Sequence, residues 1–431
     1  MHDRRVLVVG TTCDYIDFIC KHYPRRALFV TDPSERERAA AVEIDPPPAD
    51  ELLCDLRDNR LVLDQLKNHL SRWRMEITGI ACYDCESLGL ASSLAKQFAL
   101  PFPAPSAVVA SRNKFLSKQI WEKAGVSCPL TGVVRNLSDA LNFMDCVAKP
   151  VIIKPLTGSG SELLFRCHNR LDCSDAIDTI SFHLESHPNI RMYRQEESGG
   201  MKMDPRHEFV IEEFITGQEY SCDVMFEGNR VEIIRLAKKI MARDKPPGTT
   251  LAYVLPSLLP DQIDMADFRL QLRNAAHALG LNRTLCMVDF IVHESTACLI
   301  EMTPRLGGDC LPQTILKSCG LDMLGLALNF AEGKPIVLPA ASSWVQLVGL
   351  RLFARKSGII KKIEAQDLHQ DSRVREFRLK RRPGHRVVLP PDDYESRLLG
   401  HLIFKPKTPQ SIEAECIELE SKLILEMEAE P

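Results

Sequence analysis

No apolar run in this sequence approaches the roughly 18 residues that cross a bilayer, so no membrane partner is expected. No charge of one sign dominates: 54 Lys and Arg stand against 58 Asp and Glu, a net charge of −4. That balance leaves no global electrostatic footprint for nucleic acid or an anionic surface. The basic runs Lys361-Lys362 and Lys380-Arg381-Arg382 read as solvated faces. Zinc-ligand spacing is missing too. The 15 cysteines are scattered, Cys82-Tyr83-Asp84-Cys85 is their one close pair, and nothing completes a set. Met1-His2-Asp3-Arg4-Arg5 leads into a short apolar run ending at Gly10, which reads as a strand and not a signal peptide. Reduced thiols and a cytoplasmic location are therefore expected. After that strand stands Gly10-Thr11-Thr12-Cys13-Asp14-Tyr15. The G-x-G-x-x-G of dinucleotide-binding domains is absent there, which argues against an oxidoreductase built on such a cofactor.

What is present suffices for two or three domains with substantial cores: 431 residues, 45% of them hydrophobic. Residues 5–10, 27–30 and 79–82 read as buried strands alternating with helices, an open α/β arrangement. Pro101-Phe102-Pro103-Ala104-Pro105 marks a crossing, after which 106–124 reads as one helix capped by Gly125. Residues 194–207, charged and containing Gly199-Gly200, read as a mobile surface loop. Strands are predicted at 220–226, 285–292 and 297–302, the last two forming a hairpin with loop 293–296. Further strands are predicted over 345–353, 382–388 and 399–404, and a helix over 411–427.

The chemistry concentrates in a few stretches. Pro150-Val-Ile-Ile-Lys154 is a short β-branched run that delivers a lysine to a turn of small residues, Thr157-Gly158-Ser159-Gly160-Ser161. Glycines let backbone approach a ligand, and successive N–H groups in such a turn cradle anions. Further on, an apolar run meets paired acids, Glu212-Glu213-Phe214-Ile215, followed by Glu219. Asp289 and Glu301 each sit among apolar neighbours on adjacent predicted strands. Carboxylates there are costly unless paired or bound to metal, and two facing one point suit Mg²⁺. Thr303-Pro304-Arg305-Leu306-Gly307-Gly308 then offers a guanidinium and glycine amides nearby.

Taken together, these pieces resemble the ATP-grasp superfamily, over most of the chain. The resemblance implies a mixed α/β and α+β protein. A Rossmann-like N-terminal α/β domain would span 1–105. An ATP-grasp domain would span 106–340, with a lid at about 145–220, and a small C-terminal α+β domain 341–431. Lys114 and Lys154 would contact phosphates beneath the Gly158–Ser161 turn. Glu212-Glu213-Phe214-Ile215 would form the adenine hinge, largely through backbone groups of Glu213 and Ile215, and Glu219 would hold the ribose. Asp289 and Glu301 would bind Mg²⁺, or Mn²⁺ in its place, with Thr303 a weaker ligand because many relatives carry Asn there. Asp289 likewise stands where many relatives have Glu. Arg305 and Gly308 would stabilise the transferred phosphoryl group, and Lys238 or Lys239 would add a phosphate contact. The C-terminal strands resemble those of L-amino-acid ligases and carnosine-synthase-like enzymes, and more distantly biotin carboxylase. That implies an ATP-dependent carboxylate–amine ligase working through an acyl-phosphate on small molecules, with a homodimer common among relatives. A carboxylase of the biotin-carboxylase type and a non-catalytic ATP-binding module are the alternatives. His207, His277 and His293 give no basis for naming a general base.

Overall fold

The computed structural model describes residues 3–38, 45–198 and 201–428. The chain opens with strands β1 (Asp3–Val9), β2 (Ala27–Thr31), β3 (Glu51–Leu53) and β4 (Met75–Ala81), a parallel sheet in the order β3-β2-β1-β4. Val6 to Val9 are all buried, as expected for a parallel strand covered on both faces. β3 was not foreseen; with Glu51-Leu52-Leu53 it is too short to show a period.

The helix predicted over 106–124 is two helices, Pro105–Arg112 and Lys114–Lys123. Asn113 between them is extended (ψ 110°), and its side chain accepts from the amides of Phe115 and Leu116. An Asx cap thus restarts the helix at Lys114.

A second, antiparallel sheet follows: β5 (Thr131–Val134), β6 (Val151–Pro155), β7 (Phe165–Cys167) and, after two short strands, β10 (Phe209–Glu213), in the order β5-β10-β6-β7. The two short strands, β8 (Glu196–Ser198) and β9 (Met201–Met203), pair as a hairpin inside the segment read as a mobile loop. Its Gly199-Gly200 lies outside the described residues.

The largest sheet is built from β11 (Gln218–Glu227), β12 (Arg230–Met241), β13 (Thr250–Leu255), β14 (Arg283–His293) and β15 (Thr296–Thr303). β14 and β15 form the predicted hairpin, with a loop shortened to Glu294-Ser295. Beyond it run β16 (Leu347–Phe353), β17 (Gly358–Glu364), β18 (Val374–Leu379), β19 (Arg386–Val387), β20 (Leu398–Phe404) and β21 (Ile424–Glu428). β16, β20 and β18 continue the large sheet, in the order β15-β14-β11-β12-β13-β16-β20-β18, so hydrogen bonding runs unbroken across position 341. The helix predicted to 427 ends at Ser421. Ile424 to Glu428 pair instead with β17, where Leu425 and Met427 pack on the C-terminal core. Tertiary pairing overrides the helical tendency of this Leu/Glu/Met-rich end.

The two faces of the large sheet differ. Tyr220, Cys222, Val224 and Phe226 alternate toward one side and join Val288, Phe290 and Met302 against the helix Met265–Ala278, with Trp121 in the same cluster. Glu219, Ser221 and Asp223, at the alternate positions, line the other side. Phe290 stacks on Tyr220 (centroids 5.5 Å) and lies 4.8 Å from Phe268. Phe290→Ala should cost about 3–5 kcal/mol, read as a lowered urea midpoint with an unchanged slope.

Candidate active site

On the polar face, register decides which groups meet. Ser221 stands opposite Asp289 on β14, and Asp289 opposite Glu301 on β15. The two acids therefore share one row and one face, as cross-strand neighbours do. Lys239 comes into this group from β12, its Nζ 3.2 Å from Asp289 Oδ2 and 3.4 Å from Glu219 Oε2. Burial alone would lower the Lys239 pKa, but Asp289 and Glu219 outweigh it and raise it. Strand alternation puts Lys238 on the opposite face, so Lys239 is the lysine beside the acids. Thr303 Oγ1 donates to Glu301 Oε1 at 3.0 Å, which makes it an orienting partner of that carboxylate.

A second group sits where the helix at 114 meets the antiparallel sheet. Glu212 is buried between two lysines, with Lys154 Nζ 2.6 Å from Oε2 and Lys118 Nζ 3.1 Å from Oε1. The Lys118 pair lacks hydrogen-bond alignment, leaving Oε1 without a hydrogen bond. Lys118 also donates to the carbonyl of Ile300, tying this helix to the strand that carries Glu301. Burial would raise the Glu212 pKa; Lys118 and Lys154 outweigh it and hold it at about 2. Lys154 moves down to about 8, first through burial, and the charges of Lys118 and Lys114 add to that against Glu212. One carboxylate shared by two ammonium groups cannot fully compensate both. Glu301 senses the same lysines: burial opposes ionisation, but Lys114, Lys118 and Lys154 hold its pKa below the usual range.

The small-residue turn lies over this cluster. Gly158 and Gly160 adopt φ of +132° and +68°, conformations that favour glycine, and Ser159 between them is exposed. Lys114 Nζ donates to the Gly158 carbonyl at 3.1 Å, and Ser161 Oγ to the Gly248 carbonyl at 2.9 Å. At the end of β10 lies the segment read as the adenine hinge. The Glu213 amide already donates to Leu130 O, and the Phe214 amide to Pro150 O, both at 3.0 Å. The Glu213 amide therefore cannot serve a ligand without giving up that bond, and the Glu212 carboxylate is engaged by lysines. Ile215 follows, half-buried.

Arg305 is held by the next residue's carbonyl and by Cys85, which follows β4: Nη1 donates to Leu306 O at 2.7 Å and Nε to Cys85 Sγ at 3.0 Å. Next to it a fully buried pair, Arg235 Nε to Asp223 Oδ2 at 2.7 Å, receives the Gly307 amide on Oδ1 at 2.8 Å. A side chain at Gly307 would come within 2.6 Å of Arg235 Nη2, so this approach requires glycine. Gly308 follows, and Asp309 then pairs with Arg351.

The structure thus brings Lys114, Lys154 and the turn together with Asp289, Glu301, Thr303 and Glu219. Lys118, Arg235 and Arg351 were missed. Lys118 carried a readable signal, because four residues after Lys114 it shares that residue's helix face. Arg235 and Arg351 carried none, since only sheet register places them here. The carboxylate pair suits a hard divalent cation that takes its remaining oxygen ligands from phosphate and water. Among the described residues no third His, Cys, Asp or Glu joins the two acids.

Residues 147–313 match the family model described as ATP-grasp domain. A relative, the uncharacterized protein y4rH of Sinorhizobium fredii, is 25% identical over 335 residues, 76% of this chain and 64% of that one. The match thus spans less than two thirds of the relative's length. Among solved structures, L-amino acid ligase from Bacillus licheniformis aligns with TM-score 0.76 and 17% identity, over 99% of this chain and 100% of that one. The biotin carboxylase domain of Hydrogenobacter thermophilus 2-oxoglutarate carboxylase, in complex with MgADP, ADP and bicarbonate, aligns with TM-score 0.68 and 14% identity, over 99% and 91%. These likenesses show the ATP-grasp fold.

Glu212→Gln should destabilise the protein by about 3–5 kcal/mol, because two buried ammonium groups lose their counter-charge. Since the Glu212 pKa falls from 4.5 to about 2 on folding, its contribution is complete above pH 4.5 and lost as pH falls toward 2. Urea titrations across that window should show a slope worth roughly 3 kcal/mol in the wild type and none of it in the variant.

Proposed function

With residues 147–313 an ATP-grasp domain, we propose that the chain is an ATP-dependent carboxylate–amine ligase. The observation that carries this is the in-register Asp289–Glu301 pair facing the Lys114, Lys118 and Lys154 cluster under a glycine turn. An ATP-grasp site needs a cation-binding acid pair set against a phosphate-binding cationic wall, and the charges of Lys114, Lys118 and Lys154 on Glu301 support that arrangement. The L-amino acid ligase likeness covers the whole fold and supports this branch.

In this reading a substrate carboxylate attacks the γ-phosphate of ATP, giving an acyl-phosphate and ADP. An amine then attacks the acyl carbon and expels phosphate. The protein's task is positioning and charge neutralisation. Asp289 and Glu301 would hold Mg²⁺, which supplies charge neutralisation between the phosphates, and Thr303 keeps Glu301 turned toward it. Lys114 and Lys154 offset phosphate charge, with Lys118 and Glu212 setting the position of Lys154. Lys239 is paired to both Asp289 and Glu219, so nucleotide entry would divide these partners between ribose, metal and phosphate. Arg305, braced by Cys85, with the Gly308 amide, stabilises the oxygens that gain charge. The Gly158–Ser161 turn closes over the nucleotide and keeps water from the acyl-phosphate. The divisions at 105 and 340 belong to the same reading, as do a cytoplasmic setting and a homodimer. No helix among the described residues is long and apolar enough to cross a membrane.

ADP and phosphate release from Mg²⁺-ATP, screened over pooled amino acids and small carboxylates with mass spectrometry of products, tests the reading. Release requiring both an acid and an amine, with a product one water lighter than their sum, is expected. Release with bicarbonate alone, or ATP binding without turnover on any pool, would reject it. Glu301→Gln should lower turnover at least about 10²-fold with an unchanged circular dichroism spectrum; undiminished turnover would remove Glu301 from the metal site.

A further inference from the structure

Three cations surround the Phe353 ring at the end of β16: Arg351 at 4.9 Å from its centroid, Arg397 at 5.1 Å and Lys245 at 5.7 Å. Two of them have carboxylate partners. Lys245 lies 3.2 Å from both Asp244 and Glu420, and Arg351 pairs with Asp309. Among the described residues no carboxylate pairs with Arg397. Its Nη2 donates to Thr249 Oγ1 at 3.2 Å, and its guanidinium lies over the Phe353 and Tyr394 rings. Arg397 is only 5% exposed, and its Nε is buried without a hydrogen-bond partner. Burial and then the charge of Arg351 disfavour its protonated form, with Tyr394 the one group acting the other way. Aromatic faces attract a cation but do not replace a counter-charge, and a buried charge left unpaired is expensive.

The neighbours of Arg397 link it to the glycine turn and to the segment after Arg305. Thr249 precedes Thr250, whose carbonyl accepts from Arg351 Nη1 at 3.0 Å. It also follows Gly248, whose carbonyl holds Ser161 of the glycine turn. Tyr394 packs against the core of the β5-β10-β6-β7 sheet. Asp309, the partner of Arg351, comes directly after Gly308. Arg397 therefore stands near where the turn, the Arg305–Asp309 segment and the C-terminal strands meet.

We propose that Arg397, with Arg351 beside it, is an oxyanion site for the carboxylate that the reaction leaves untouched, so that the amine substrate is an amino acid held by its own carboxylate. The chemistry is that of a planar guanidinium fork, which takes carboxylate or phosphate oxygens in pairs. The identity of the anion as a substrate group rests on the ligase reading; the existence of the site does not.

The test uses the full chain as wild type, Arg397→Met and Arg397→Lys. Thermal midpoints are measured at constant ionic strength in chloride, with added succinate, and with added inorganic phosphate. KM values for ATP and for the amine are then taken on whichever pool gives turnover. Succinate should raise the wild-type midpoint saturably. Arg397→Met should be at least as stable as wild type in chloride, since it removes an uncompensated buried charge, and should not respond to succinate. Arg397→Lys should respond weakly, because a point charge replaces the fork. The KM for the amine should rise roughly 10- to 100-fold in Arg397→Met, with the KM for ATP unchanged. Loss of stability in every buffer with the succinate response or the amine KM intact would mean a merely structural arginine and overturn the proposal. No wild-type response to either anion would also overturn it, and a response to phosphate alone would overturn the carboxylate assignment. Failure of all turnover would remove the ligase reading, while the succinate titration would still decide the site.

Discussion

The Glu212 carboxylate, buried between Lys118 and Lys154, is the constraint on which the rest of the cleft depends. An ammonium group in a protein interior loses its charge or acquires a partner. Here three lysines act on two acids, Glu212 and Glu301. The lysine charges keep both acids ionised, while burial, with the charges of Lys118 and Lys114 adding to it, draws the Lys154 pKa down to about 8. A site in that condition is prepared for polyanions, because phosphate would complete a compensation that the protein leaves partial. Lys118 adds a mechanical link, since its bond to the Ile300 carbonyl ties the helix Lys114–Lys123 to the strand of Glu301.

The large sheet separates the work of holding the fold from the work of the site. Its apolar side packs Tyr220, Phe290 and Met302 against a helix, and the opposite side presents Glu219, Lys239, Asp289 and Glu301. The period of two fixes which side Asp289 takes, since a one-residue slip of β14 would exchange the faces of Asp289 and Phe290. Met225 and Leu285, on the acids' side, join a core cluster with Ile16 and Ile19. Extension of the sheet through β16 and β20 carries the same logic into the C-terminal part, where Arg351 reaches Asp309 beside Gly308. Charge pairing of this kind recurs down the cleft, as in the buried Arg235–Asp223 pair that fixes the Gly307 amide.

Much of this was legible in the sequence because it is local. The alternation of strands and helices, the glycine turn after Lys154 and the hairpin bearing Asp289 and Glu301 each depend on residues within a few positions of one another, where propensity and period act. The errors have local causes as well. Asn113 interrupted a helix by capping it, and the Leu/Glu/Met-rich end was drawn from helix into strand by the free edge of β17. That second error already shows the limit, since the edge lies some sixty residues earlier in the chain.

The sequence by itself determined the classes of group available: two lysines near a small-residue turn, acids stranded among apolar residues, an arginine before paired glycines. Their burial cost announces them, for a carboxylate inside a β-branched run must find a partner. Only the tertiary structure decided who those partners are. Register chose Lys239 over Lys238, burial set the Glu212 carboxylate between Lys118 and Lys154, and sheet continuity brought Arg351 to Asp309. Partner choice in these cases spans tens to hundreds of residues. The energy that fixes it comes from desolvation shared by groups that meet only after the sheets have formed.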